Sequence, residues 1–166
     1  VHRRRIANWV WIIVGLIQSH SVHLSEIAQH IPSDAQAPGR IAQVRRWLAN
    51  KFIKVDEFYR PLITQAIQAW EGKAVFIILD GCGVNHEKLQ FFRMSLSHCY
   101  RALPLAWMTI ASAGLVQVEA CAALFEQVLR ILPAVTSVTF LADRGFRDTD
   151  WAEQCLKLGW NYLIRV

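Results

Sequence analysis

Charge is scarce in this chain, with Asp, Glu, Lys and Arg making up 19% of its 166 residues, and no internal repeat or low-complexity segment interrupts it. With 54% of its residues apolar, it is excluded from the disordered tails, which lack the apolar surface to offset the entropy of ordering. The four cysteines, Cys82, Cys99, Cys121 and Cys155, include no Cys-x-x-Cys pair, and no histidines stand at zinc-finger spacing from them. They read as reduced thiols of a cytoplasmic protein. His20, His23 and His30 share one segment, which reads as a loop running into a helix rather than as a metal site. No apolar run is long enough to span a bilayer. Arg3-Arg4-Arg5 ahead of the apolar run Ile6 to Ile17 has the outline of a signal peptide, yet no Ala-x-Ala site follows. The apolar residues there, Ile6, Trp9, Val10, Ile13, Val14 and Ile17, fall on the stripe of a packed helix. The chain opens on Val rather than Met, which fits a fragment or an unusual start.

What is present is enough for one real core and a small second unit. The net charge is +5, and residues 1–72 carry +4 of it, so the basic excess is N-terminal and fits a polyanion partner. Helical spacing dominates that half. Helices are expected from Ile6 to Ser19, Leu24 to Ile31, Arg40 to Lys51 and Asp56 to Trp70, with Pro32 to Gly39 as a turn. Ile41, Val44 and Leu48 face inward on the third helix, and Leu62, Ile63, Ala66, Ile67 and Trp70 form the apolar side of the fourth. The second and third helices have the outline of a helix-turn-helix with a turn longer than usual, and Arg40, Arg45, Arg46 and Lys51 would meet phosphates or bases. A basic solvated helix face is the structural reading of the same residues.

At Gly72-Lys73 the pattern changes to short, dense β runs, so we expect a helical, DNA-binding domain over 1–72 and a second domain over 73–166. Strands are expected at 74–80, 89–97, 103–111, 137–142 and 160–166. A helix at 116–132, with Ala120, Ala123, Leu124, Val128 and Leu132 inward, and another at 151–158 separate the later strands. Three consecutive strands suggest an antiparallel meander, and each later strand follows a helix, which suggests parallel crossovers. That order is an RNase H-like α/β mixed sheet. In such a sheet the first and fourth strands are neighbours. Asp80, after Val75-Phe76-Ile77-Ile78-Leu79, and Asp143, after Val138-Thr139-Phe140-Leu141-Ala142, would then come together to hold divalent metal. An aspartate before a glycine is also a common turn former, and Arg144 fits either a DNA phosphate or a neighbouring acid.

Asp143-Arg144-Gly145-Phe146, Arg101-Ala102-Leu103-Pro104-Leu105-Ala106-Trp107 and Gly159-Trp160-Asn161-Tyr162-Leu163-Ile164-Arg165 resemble the insertion sequence four family of DDE transposases. Leu24-Ser25-Glu26-Ile27-Ala28, Arg45-Arg46-Trp47-Leu48 and Tyr59-Arg60-Pro61-Leu62 are similar to that family's leading helical region. The resemblance implies cut-and-paste DNA transposition, in which two aspartates and a glutamate hold two Mg²⁺ or Mn²⁺ ions about 4 Å apart. Asp80 carries over as the first acid and Asp143 as the second. Double-stranded DNA of the element's terminal repeats is the implied partner, and self-association or association with a full-length transposase is a further expectation.

The family's glutamate lies on a helix beyond the last strand of this sequence, together with Tyr, Arg and Lys at set spacing. Tyr162 and Arg165 reproduce part of that spacing but sit in a β run. The sequence therefore reads as an incomplete transposase lacking its third acid, or as one whose third acid comes from a separate chain, so its enzymatic competence is an open point. Two alternatives follow. One is a non-catalytic, DNA-binding remnant that acts as an inhibitor. The other is a small RNase H-like nuclease completing its site with Glu119, although Glu119, Glu126 and Glu153 also read as solvated helix faces.

Overall fold

The computed structural model describes residues 3–84, 89–111 and 118–165. Residues 116 and 117, expected to open a helix, and Val166, expected to close a strand, lie outside the described residues. The chain forms two compact units, Val1–Arg60 and Pro61–Val166. The change of pattern at residues 72–73 falls inside the second.

In the first unit α1 spans Arg3–Ser19, α2 Leu24–Gln29 and α3 Ala37–Leu48, and α4, Val55–Ala66, begins there and crosses into the second. Ile12, Ile27, Ala28, Ile31 and Val44 form the core, with Leu24, Ile41 and Trp47 packed against it. This corrects the expected face of α1. Its buried residues are Ile12 and Gly15, while Ile6, Val10 and Ile17 are exposed. The cause is a close approach between backbones: a Cβ on Gly15 would stand 2.7 Å from the Ile27 carbonyl oxygen. α1 is thus turned so that its glycine meets α2, and the larger apolar residues are rotated away. α3 starts before Arg40 because Pro38 sits in its first turn, where a missing N–H costs nothing. Leu48, expected inward on α3, is exposed. Trp9 and Trp47 meet Phe58 edge to face, with ring centroids 5.1 and 6.1 Å apart.

The second unit is built on a five-stranded sheet in the order β3-β2-β1-β4-β5. β1 (Ala74–Val84), β2 (Leu89–His98) and β3 (Arg101–Ile110) form an antiparallel meander, and β4 (Ser137–Ala142) and β5 (Asn161–Ile164) run parallel to β1. α5 (Ala122–Ile131), preceded by a 3-10 turn at Val118–Cys121, links β3 to β4, and α6 (Thr149–Lys157) links β4 to β5. This is the RNase H-like α/β arrangement, preceded by a helical N-terminal region. Pro104, which has no N–H to give a ladder, stands opposite Ser95 beside an irregularity in the β2–β3 register. α6 ends at Gly159, whose φ of +68° only glycine adopts freely, and the Trp160 N–H then donates to the Cys155 carbonyl at 2.9 Å.

One face of the sheet carries the core. Val75, Ile77 and Leu79 of β1 lie beside Val138 and Phe140 of β4, and all five are buried. From α5 and α6, Phe125 stacks on Phe140 at 5.7 Å, and Trp151 lies parallel to Phe140 at 6.5 Å. The inner face of α5 is Leu124, Phe125, Val128 and Ile131, and the expected Ala120 and Ala123 are exposed. The helix proper begins at Ala122, and this sets a different phase. The fourth helix, expected to run to Trp70, ends at Ala66 and passes into a 3-10 turn over Ile67–Trp70; Leu62 and Ala66 are exposed while Ile63 of α4 and Ile67 of the turn are buried.

Gly15→Ala is expected to lower stability by about 1 to 2 kcal/mol, because crowding a backbone oxygen outweighs the gain in helix propensity; urea unfolding of the full chain measures it. Cys121 and Cys155 are buried, and burial pushes both thiols up from 9.0 to about 11. The folded state therefore holds these protons to higher pH than the unfolded chain. Their stabilising effect is complete below pH 9 and declines as the pH rises from there towards 11. Thermal melts across that range should fall more steeply for the native chain than for Cys121→Ala/Cys155→Ala.

Candidate metal centre

β1 and β4 place the two acids. Their parallel register runs from Ala74 beside Ser137 to Leu79 beside Ala142 and stops there, so Asp80 and Asp143 are the next residue on each strand. Side chains alternate across a strand. Leu79 is buried on the helix-covered face, so Asp80 projects from the opposite face, and its side chain is 65% exposed. Asp143 keeps an extended backbone, φ −82° and ψ −179°, which continues the alternation of β4 and carries it to the same side as Asp80. β1 itself does not end at the acid but runs on to Val84, paired with β2 alone.

The turn after β4 is held by its own sequence. Asp143 Oδ1 accepts the Gly145 N–H at 2.9 Å, capping a 3-10 turn over Arg144–Phe146. Gly145 does not have a positive φ in this turn. A Cβ there would lie 3.0 Å from Asp143 Oδ1, so the absent side chain is what lets the carboxylate close on the backbone. Phe146 is buried and meets Trp151 edge to face at 5.1 Å and Phe92 at 6.1 Å. Gly81, after the first acid, lies against the same rings: a Cβ there would stand 2.9 Å from Phe92 Cε1 and 3.4 Å from Phe146 Cζ. Gly81 thus rests on the same rings that support the turn after the second acid.

Arg93 is the residue that sequence reasoning passed over. It stands directly across from Asp80 in the β1–β2 register, and its Nη2 donates to Asp80 Oδ2 at 3.4 Å. Its Nε is buried without a hydrogen-bond partner among the described residues. The signal was a single cation inside Phe91-Phe92-Arg93-Met94, an apolar strand with no other charge. A contact of that length leaves the guanidinium able to take another acceptor.

As ligands the two aspartates suit a hard divalent ion. They are exposed oxygen donors on adjoining strands, Asp80 Oδ1 and Asp143 Oδ2 take no hydrogen bond from a described residue, and Mg²⁺ keeps several waters and needs few protein ligands. Among the described residues no group of three His, Cys, Asp or Glu is placed to hold a metal. Glu119 stands elsewhere. With Asp150, Glu153 and Lys157 it lines a concavity of about 290 Å³ that includes neither Asp80 nor Asp143. Asp148 beside it, slight burial, and Glu119 and Glu153 raise the Asp150 carboxyl above the ordinary range, against a smaller opposite effect of Lys157. That acidic ground lies between the 3-10 turn before α5 and the helix α6.

The basic residues are dispersed. Arg144 is exposed in the turn after Asp143 and pairs with no described residue. In the first unit Arg40 folds back, its Nη1 donating to the Ala35 carbonyl at 3.2 Å, with its Nε buried and without a hydrogen-bond partner among the described residues. Arg45 and Arg46 are exposed in the last turn of α3, where they also favour the helix dipole. The Lys51 ammonium lies 5.4 Å from the Phe52 ring centroid. No helix among the described residues is long and apolar enough to cross a membrane.

Residues 119–166 match the family model of the transposase DDE domain, a segment that contains Asp143-Arg144-Gly145-Phe146 and β5 but not Asp80. The match supports a DDE transposase. No curated protein and no solved structure matches the chain.

Replacing Arg93 with Met removes an exposed ion pair worth about 0.2 to 1 kcal/mol to Asp80 and a cation beside the two acids. Mn²⁺ binding, followed by titration calorimetry, is expected to tighten by up to about fivefold in Arg93→Met.

Proposed function

We propose that residues 1–166 are part of a cut-and-paste DDE transposase of insertion-sequence type, which cleaves and joins DNA strands at the ends of its element. The observation that carries this reading is the register of β1 and β4, which brings Asp80 and Asp143 to adjoining positions, the second of them inside the matched transposase segment. In this reading Asp80 and Asp143 are the catalytic and metal-binding acids, and residues 73–166 belong to the catalytic domain. Residues 1–72 form the DNA-binding region through Arg45, Arg46 and Lys51, with Arg40 bracing the turn before α3.

Asp80 and Asp143 would hold Mg²⁺ or Mn²⁺, two ions in a complete site, and such ions activate the attacking oxygen and stabilise the leaving one. The chain's own residues do the rest. Asp143 is aimed by the Gly145 N–H, so little ordering is left to occur on ligand binding. Arg93 keeps Asp80 paired until a cation takes its place and then presents a guanidinium to a phosphate oxygen. Arg144, on the opposite flank, would hold the scissile strand. The third acid of the triad would come from outside residues 1–166 or from a separate chain, which makes association with a second copy or a longer transposase part of the proposal, in the cytoplasm with the element's terminal repeats.

A second reading is favoured by one observation, the lack among the described residues of a third carboxylate grouped with the pair. It makes the chain a DNA-binding inhibitor without catalysis. Glu119 lines a different concavity, which weighs against the RNase H-like nuclease alternative.

Mn²⁺ titration separates the readings. Affinity should fall at least tenfold in both Asp80→Asn and Asp143→Asn, and affinity unchanged in both would sink the metal-centre proposal. Terminal-repeat duplex incubated with the chain and Mn²⁺ is expected to stay unnicked. Robust nicking abolished by Asp80→Asn would show that residues 1–166 carry a complete site.

A further inference from the structure

α1 carries two apolar faces, and the core of the first unit uses one. Ile12 and Gly15 are buried, while on the opposite side of the helix Ile6, Val10 and Ile17 are 42, 46 and 66% exposed, with the half-buried Ile13 among them. Successive residues of this second face are four, three and four apart, the spacing of a coiled-coil seam, with Ile6 and Ile13 at d and Val10 and Ile17 at a. From this geometry we infer that α1 pairs with α1 of a second copy of the chain, antiparallel about a two-fold axis, Ile6 of each copy meeting Ile17 of the other and Val10 meeting Ile13. The pairing needs neither DNA nor metal, so its failure and that of the transposase reading are separate events.

Composition and order suit this face to another helix. All four seam residues are β-branched, and no Asp, Glu, Lys or Arg occurs from Ile6 to Ser19. Such side chains are already stiff on a helix, so burying their apolar surface is little opposed by lost rotamer freedom. α1 is held by a core shared with α2 and α3, in which Ile12 meets Ile27 and Val44, so pairing carries no cost of forming the helix. The spacing four, three, four reads the same from either end of the seam. An antiparallel copy therefore brings all four residues into register at once, as a self-complementary two-fold contact requires.

Charge decides the direction. Arg3 continues the seam at the a position before Ile6, in a first turn that holds no acid, and the last turn of α1 holds no Lys or Arg. A cation at a helix N-terminus opposes the helix dipole, while the carbonyl end of α1 is left without one. In a parallel pair the two Arg3 guanidinium groups would share a layer and repel. In the antiparallel pair each stands over the carbonyl end of the other helix, and the same residue becomes favourable. An anionic lipid surface is the competing occupant. An interfacial helix turns a side rich in cations to water, whereas the side of α1 away from the seam is packed in the core of its unit. Four apolar layers fall short of a standard interface, so the dimer is expected to have a Kd on the order of 10 µM.

Sedimentation velocity of the full chain across the micromolar range, without DNA or added metal, tests the pairing, and circular dichroism melts establish that each variant is folded. The native chain should pass from monomer to dimer, and Val10→Glu and Ile13→Lys should each weaken the dimer by at least about tenfold. Val10→Glu/Ile13→Lys should dimerise more tightly than either single variant, because the antiparallel register faces position 10 of each copy with position 13 of the other. A parallel pair would set like charges together in that variant. Arg3→Gln should weaken the dimer by about three- to thirtyfold, acting at two helix ends. Leu156→Glu on α6, an equal change at an exposed apolar residue outside the seam, should leave the dimer unchanged. A chain that stays monomeric or forms trimers overturns the inference, as does native-like dimerisation in folded Val10→Glu and Ile17→Glu. Tightening in Arg3→Gln, or a double variant no tighter than its singles, overturns the antiparallel arrangement. A monomeric chain that binds phosphatidylserine vesicles, and loses them in Val10→Glu, assigns the face to lipid instead.

Discussion

The parallel pairing of β1 with β4 is the constraint on which the second unit depends. Six residue pairs, from Ala74 beside Ser137 to Leu79 beside Ala142, fix at once which side chains enter the core and which carboxylates meet. The ladder is anchored at its start, where the Gly72 N–H donates to the Ala134 carbonyl at 2.8 Å and the Thr136 N–H to the Lys73 carbonyl at 3.1 Å. Hydrophobic burial supplies the energy. Ile77, Leu79 and Phe140 are buried, and each is worth about 1.5 to 3 kcal/mol against leaving it in water. The polar pair takes its position from that apolar choice of register, not from any attraction between two like charges.

Aromatic packing extends the same logic to the turn after β4. Phe125, Phe140, Trp151, Trp160 and Phe146 form a continuous group under the helix-covered face, and Phe92 joins it from β2. Phe146 is therefore the link between site and core, since its ring is held by Trp151 while its backbone closes the turn that caps Asp143. A rigid support of this kind keeps an exposed acid aimed without burying it, which would have favoured its neutral form.

Much of this could be read from the sequence because burial and β patterning coincide in the second unit. The dense runs at 74–80 and 137–142 announced strands, the order of elements announced a mixed sheet, and a sheet of that order makes its first and fourth strands neighbours. Where the pattern misled, a local contact had overridden periodicity. The face of α1 was hidden because a glycine, which carries no hydropathy signal, decides how closely α2 approaches. The start of β3 at Arg101 was hidden because the tight turn before it uses Cys99 and Tyr100 at φ of +45° and +62°, where Asn and Gly would have advertised it. Arg93 was passed over for a different reason. Its partner lies across an antiparallel ladder, and a cross-strand register is not visible until the hairpin is built.

The alternation along β1 sets a limit on how this strand can change. A single residue inserted between Ala74 and Leu79 would invert every later side chain, sending Asp80 into the helix-covered core and Leu79 out to water. Two inserted residues would restore the face but carry Asp80 past the end of β4, away from Asp143. Substitution at the half-buried Ile78 or the exposed Phe76 disturbs neither relation. Within this strand, a change in side-chain identity is thus tolerated far more readily than any change in length, because the spacing between Lys73 and Asp80 is what keeps the two acids adjoining.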